Sequence, residues 1–299
     1  MKAFYIAIVL FSALLIGFVS VLGEAIMSFF NLGPFIVTGL SAIFGGGVML
    51  AITFLKYPKI YREINKNGIF KIIISSIFGA IGLLLWFDSI TRIGASKELL
   101  LGGNSSEMLL VLILSFVFLG ERLKRFEIVG GFLIIVGIFV VLFNPVILQP
   151  VFGLGELEAM ISSLAFAINI VISTNILRKL SDKSVSILVM MLEGLFILGA
   201  MFIANIQFQL TLESVFWIFL LGIFGVTSIL TYFYGLKKIG ASLTVIIASF
   251  AGVFSIGLQL IAKFLFPSIE LIFPQSIVLA VIGGVIAVGG VFLISYKEK

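Results

Sequence analysis

Ile93-Gly94-Ala95-Ser96 recurs 146 residues later as Ile239-Gly240-Ala241-Ser242. At the same offset Gly79 matches Gly225, Phe87 matches Phe233, and Trp86 stands against Tyr232 as an aromatic pair. After a seven-residue insertion in the second half, Gly131, Gly137 and Phe139 match Gly284, Gly290 and Phe292. A register kept over this distance marks two copies of one structural unit, residues 1–146 and 147–299.

Apolar runs fall at 3–28, 34–55, 70–91, 94–119, 126–144, 155–177, 184–205, 213–235, 240–265 and 275–295, separated by short polar or Pro-containing turns. Roughly 20 apolar residues in a helix span a ~30 Å hydrocarbon core, so each run is a candidate crossing. Each copy holds five of the ten helices. An odd number of crossings makes the second copy enter the membrane from the side opposite the first, which is an inverted repeat. The expected fold is an all-α polytopic membrane protein with ten transmembrane helices in two inverted five-helix repeats. The N-terminal run, longer than the ~7 to 15 residues of a signal-peptide core, reads as a retained helix.

Composition agrees. The chain is 61% hydrophobic and 11% charged, with a mean hydropathy of +1.32, whereas soluble domains carry about 25% charged residues. It has neither Cys nor His, which removes disulfides, thiol and imidazole catalysis and nearly all zinc or haem ligation. No GxxxxGK[ST] phosphate loop occurs and no loop is long enough for a nucleotide-binding domain, so the chain does not drive itself with ATP. No metal, cofactor or catalytic residue is expected.

With both termini cytoplasmic, sixteen of the nineteen basic residues fall on inner loops and ends, among them Lys56, Lys59, Arg62, Arg122, Lys124, Arg125, Arg178, Lys179, Lys237 and Lys238. Only Arg92, Lys97 and Lys263 remain for the outer half. That bias sets the orientation, placing the loop around Asn65 inside and the loop around Gln209 outside. The net charge of +5 thus reports topology and not a nucleic-acid partner.

The turn Phe118-Leu119-Gly120-Glu121-Arg122-Leu123, followed by Gly130-Gly131 and Gly137, resembles the Leu-Gly-Glu-Arg-Leu turn of the drug/metabolite transporter superfamily in its ten-helix form. The five-helix repeat of that family is called the EamA domain. The aromatic end of helix 3 and Ile93-Gly94-Ala95-Ser96 also fit its pattern, and the resemblance covers nearly the whole chain. It implies a secondary transporter, in many members an exporter, with a substrate cavity between helices 1–4 and 6–9, and helices 5 and 10 supporting from outside. The sequence departs from the family at Met108, where a Pro is typical, at Phe254 in the matching place of helix 9, and at Ser41, where a basic residue is frequent.

The most polar stretch at membrane depth is Gly102-Gly103-Asn104-Ser105-Ser106-Glu107. An ionised carboxylate at mid-bilayer costs roughly 2.5 to 3.5 kcal/mol on insertion scales, so this stretch must face protein, water or a ligand. Paired glycines loosen the helix and admit a neighbouring backbone, here expected from helix 9 near Gly103. In the second copy the stretch becomes Ala248-Ser249-Phe250-Ala251-Gly252-Val253. Small residues survive there and polar ones do not, so Asn104 and Glu107 point to a ligand more than to the scaffold.

On a continuous helix Lys97 with Asn104, and Glu98 with Ser105, share one broad face with Glu107. Lys97 and Glu98 lie near the outer end, where they can snorkel or pair in the open. Glu193 falls near the midplane of helix 7, and Glu24 in the outer third of helix 1. Asp88 and Glu156 are near enough to helix ends to be solvated. Ser75, Gly79, Gly82 and Trp86 form a stripe on helix 3, and Ser162, Asn169 and Ser173 another on helix 6, both of which read first as packing. Trp86 and Tyr232 offer aromatic faces suited to an organic or cationic solute.

The expected substrate ligands are therefore Trp86, Glu98, Asn104, Ser105, Glu107, Asn169, Glu193 and Tyr232. The candidates for carrying a proton are Glu107, then Glu193, then Glu24. The expected partners are a small-molecule substrate and membrane lipid in the cell membrane, with proton coupling and a homodimer left open. An uncoupled uniporter of the same fold is the nearest alternative. An intramembrane enzyme or a structural membrane protein are the more distant ones.

Overall fold

The structure, a computed structural model, describes residues 2–56, 66–103, 106–107, 109–110, 113–114, 125–146, 148–177, 180–239, 244 and 247–294. Asn104, Ser105, Met108, the turn Phe118–Leu123, the copy Gly240–Ser242, the loop around Asn65 and several inner-loop basic residues lie outside them. Ten helices occur among the described residues. They are α1 (Lys2–Phe30), α2 (Pro34–Lys56), α3 (Lys66–Ile93), α4 (Ala95–Leu101), α5 (Arg125–Leu142), α6 (Leu154–Leu177), α7 (Asp182–Ile203), α8 (Leu212–Ile239), α9 (Ala251–Leu265) and α10 (Ile277–Ile294). A two-residue antiparallel hairpin, β1 (Phe143–Asn144) on β2 (Gln149–Pro150), joins α5 to α6.

Six of the helices, α1, α2, α3, α6, α7 and α8, are long and apolar enough to cross a membrane, and α5, α9 and α10 are shorter apolar helices. The 29 residues of α1 reach roughly 43 Å at about 1.5 Å each, more than a ~30 Å core needs. Large apolar side chains such as Phe4, Leu55, Phe132, Phe264 and Phe292 stand exposed around the bundle, which lipid and not water accommodates. Local chemistry stops the helices. Asn31 takes φ 51°, the Leu32 N–H closes back on the Met27 carbonyl at 3.1 Å, and Pro34 starts α2 where its missing N–H costs nothing. Asn205, at φ 52°, ends α7 in the same way, with the Ile206 N–H on the Met201 carbonyl at 3.2 Å.

The repeat is visible in the packing. Under the exchange of α1–α5 with α6–α10, the pair α1 on α8 becomes α6 on α3, and α2 on α8 becomes α7 on α3; all four pairs are in contact. The pairs α2 with α7, α4 with α9 and α5 with α10 map onto themselves and are also packed. Lipid tails are as apolar as Leu, so these seams rely on close backbone approach at small residues. A Cβ on Gly137 would sit 2.5 Å from the Gly283 carbonyl, and one on Gly290 would sit 2.5 Å from the Gly130 carbonyl. The repeat exchanges those two contacts. At the α2–α8 crossing, a Cβ on Gly45 would lie 2.1 Å from the Gly222 carbonyl and one on Gly222 2.3 Å from the Ser41 carbonyl.

Helix 4 corrects the continuous reading of 94–119. Its described helix ends at Leu101, the chain turns through Gly102 and Gly103, and the N–H groups of Ser106 and Glu107 bond the Gly103 carbonyl at 3.0 and 3.3 Å as helix resumes. A face extrapolated through seven residues therefore does not hold across this point. Two adjacent glycines in a helix interior cost about 1 kcal/mol each relative to Ala, and here they release the ladder. Helix 9 has a turn at Ser249-Phe250 before α9 starts, and Ser249 is the repeat mate of Gly103. The described helix is thus interrupted at repeat-matched positions, Gly102-Gly103 and Ser249-Phe250.

Candidate functional site

Between the helices lies a cavity of about 190 Å³, lined by residues of α1, α2, α3, α4, α6, α7 and α8 together with Gly102, Gly103 and Glu107 just past the end of α4. Its apolar wall comes from residues such as Ile16, Val19, Leu83, Phe166, Val189 and Ile229, and its aromatic wall includes Trp86, Phe87 and Tyr232. Three carboxylates reach it, Glu98, Glu107 and Glu193, and no Lys or Arg lines it among the described residues. Ser41, Ser162, Asn169, Ser186 and Ser228 add neutral polar groups.

Glu193 is held from α7 against the seam between α3 and α6. Asn169 donates from Nδ2 to the Ser75 carbonyl at 2.8 Å and reaches Glu193 Oε1 at 3.5 Å. The Ser75 and Ser173 hydroxyls share a bond of 2.8 Å, and Ser162 donates to the Gly82 carbonyl at 2.8 Å. The polar stripes of helices 3 and 6 are thus a packing seam that also presents Asn169 and Ser162 to the cavity. Gly79 makes room for the carboxylate, since a Cβ there would stand 1.8 Å from Glu193 Oε1 and 2.6 Å from Asn169 Nδ2.

Glu98 projects from α4, 1% exposed, beside the Trp86 indole and near Glu107. Gly102 gives it space, because a Cβ there would meet Glu98 Oε1 at 2.5 Å and the Ala159 carbonyl of α6 at 2.9 Å. The close approach expected of Gly103 to helix 9 is therefore made elsewhere. Gly102 meets α6, a Cβ on Gly103 would clash first with the Leu99 carbonyl of its own segment at 2.4 Å, and α9 meets α4 where Gly252 faces Leu100. Glu107 lines the same cavity as Glu98 and Tyr232. Glu98 Oε2 and the Tyr232 hydroxyl are buried with no hydrogen-bond partner among the described residues. Buried polar atoms ordinarily find partners, and those left over at a cavity wall are available to a ligand.

Six of the expected substrate ligands, Trp86, Glu98, Glu107, Asn169, Glu193 and Tyr232, share this one cavity. Asn104 and Ser105 lie outside the described residues. Glu24 does not line the cavity; its carboxylate is occupied by α4, α9 and the loop between α9 and α10. Glu156 is 4% exposed and not solvated, because Lys97 Nζ donates to its Oε1 at 2.5 Å. Lys97 accordingly does not pair with Glu98 in the open; both are buried, facing different neighbours. Nothing in the residue pattern marks Gly79 and Gly102 as the positions that admit the Glu193 and Glu98 carboxylates, since glycine is common throughout such helices.

The family described as the EamA-like transporter family matches residues 3–143 and again 153–296. No curated protein matches the chain. One solved crystal structure of another protein is 20% identical over 94% of this chain and 96% of its own, and superposes with a TM-score of 0.62. At that identity the likeness shows the fold alone.

Proposed function

The chain belongs to the EamA-like transporter family through both of its halves, and from that premise we propose that it is a secondary transporter exporting a small organic cation by alternating access, with protons as the exchanged ion. The observation that carries the reading is the cavity itself, where Glu98, Glu107 and Glu193 face one space with no basic side chain among its described lining residues. Uncompensated negative charge in a low-dielectric wall favours a cation. The faces of Trp86 and Tyr232 add cation–π attraction of up to about 2 kcal/mol each when desolvated. Orphan acceptors on Glu98 and Tyr232 match the N–H donors of an amine.

Alternating exposure supplies the coupling. A carboxylate that releases its proton to one side when the cation binds, and takes one from the other side when the cation leaves, exchanges the two without further machinery. Glu107 and Glu193 are the residues assigned to this, with Glu98 as the partner that shares the substrate charge. Asn104 and Ser105 are assigned to the same site. The orientation proposed is both termini in the cytoplasm of a cell-membrane protein.

The test is flux in proteoliposomes. Purified protein is given a panel of aromatic monoamines and tetraalkylammonium ions alongside neutral isosteres, with and without an imposed pH gradient. Cation flux that follows the gradient, and that disappears with Glu107→Gln or Glu193→Gln, is expected. Equal flux of cations and neutral isosteres would overturn the substrate class. Wild-type cation flux indifferent to the gradient would leave a uniporter in place of the exchanger.

A further inference from the structure

Glu24 is a buried carboxylate that does not line the cavity, yet it accepts three hydrogen bonds. Its Oε1 accepts the Ile272 N–H at 2.6 Å. Its Oε2 accepts the Ala95 N–H at 3.1 Å and the Gln259 side-chain amide at 2.6 Å. Gln259 in turn donates to the Ile272 carbonyl at 3.2 Å. One side chain of α1 thus gathers the first residue of α4, the body of α9 and the loop between α9 and α10. The first two of these helices belong to one repeat, and α9 with its loop belongs to the other.

The fit at this junction is tight. Gly94 turns the chain from α3 into α4 at φ 83°, and a Cβ on it would lie 1.9 Å from the Ile272 carbonyl. The buried Lys97–Glu156 pair and the Arg92–Glu158 pair, at 2.9 Å, bind the same junction to the start of α6. Ala95 is one helical turn from Glu98, so these ties adjoin the part of α4 that lines the cavity. At the repeat offset Glu24 falls on Ile170, and the carboxylates of α6 are confined to its start at Glu156 and Glu158. The first helix of the second copy thus carries no carboxylate at the matching position.

We propose that Glu24 is a one-sided latch, a positioning residue that holds α4 and the α9–α10 loop together and keeps the Gly94 end of the bundle shut. The asymmetry biases the two-state equilibrium toward the conformation that opens at the end carrying the termini. Its place in a transport cycle rests on the alternating-access reading, but the latch itself is tested without any substrate.

The native chain has no Cys, so Ile229→Cys, in the half-buried cavity wall, gives a single thiol. Its rate of reaction with an impermeant maleimide is measured from outside in intact cells and from the cytoplasmic side in inverted vesicles. Adding Glu24→Ala is expected to raise the outside rate about tenfold and leave the inside rate unchanged or lower. Gln259→Met, which removes one of the three donors and keeps the carboxylate, is expected to raise the outside rate two- to threefold and serves if Glu24→Ala does not fold. A rise confined to the cytoplasmic side would support the latch and reverse the proposed orientation. Equal rises on both sides would mean general loosening and overturn it, as would unchanged rates in both variants.

Discussion

Lys97 and Glu156 are the most enclosed ion pair among the described residues, with side chains 9% and 5% exposed and Nζ 2.5 Å from Oε1. Replacing Lys97 by Met keeps the apolar stem and removes the charge. Glu156 would retain the Gly153 N–H, at 2.8 Å, its own backbone N–H and the positive end of α6, which contributes about 0.3–1 kcal/mol. Leaving one member of a buried pair uncompensated costs about 3–5 kcal/mol. With the backbone donor and the helix terminus still in place, Lys97→Met is expected at the lower end, about 3 kcal/mol. Glu156→Gln should cost a similar amount because it strands the ammonium instead. The double variant strands neither and should lose only about 1 kcal/mol, so the coupling energy should be large, of the order of several kcal/mol. The assay is reversible unfolding in mixed micelles by titrating a denaturing detergent, for wild type, both single variants and the double. Additive losses, with coupling below about 0.5 kcal/mol, would refute the reasoning and show that water reaches this pair.

Gly79→Ala should displace the Glu193 carboxylate by more than 1 Å, since about 3.5 Å is needed where 1.8 Å is available. Cation affinity in the proteoliposome assay should fall tenfold or more with expression unchanged, and wild-type affinity would remove Glu193 from the site. Gly222→Ala should destabilise the α2–α8 crossing by about 1–3 kcal/mol as an overpacked contact. Gly47→Ala, with nothing within 4 Å of the new methyl, should be neutral or stabilising by up to about 1 kcal/mol, and thermal unfolding in detergent compares the two. Single cysteines at Asn65 and Gln209 should label from outside only at Gln209, and labelling of intact cells at Asn65 instead would reverse the topology.

The number of helices, the repeat and the membrane setting were all legible in the residues, because each depends on quantities that are local in sequence. Apolar run length against bilayer thickness decides a crossing, and a register of small residues survives in both copies, as at Gly137 and Gly290. That the cavity holds carboxylates was legible for a related reason. A charge inside a long apolar run is costly in a membrane, so Glu107 and Glu193 stand out before any contact is known. What needed the tertiary structure was the partner of each buried charge. Lys97 and Glu98 are adjacent in the chain, but one turns to Glu156, 59 residues away, and the other to the cavity. Glu24 looks in sequence like Glu193, yet two backbone N–H groups and an amide from the far repeat occupy it, while Gly79 opens a space for Glu193. Sequence spacing measures distance along one helix, and whether a carboxylate faces the cavity or is tied to backbone N–H groups is decided across helices, by which donors and which missing Cβ atoms the inverted packing brings to it.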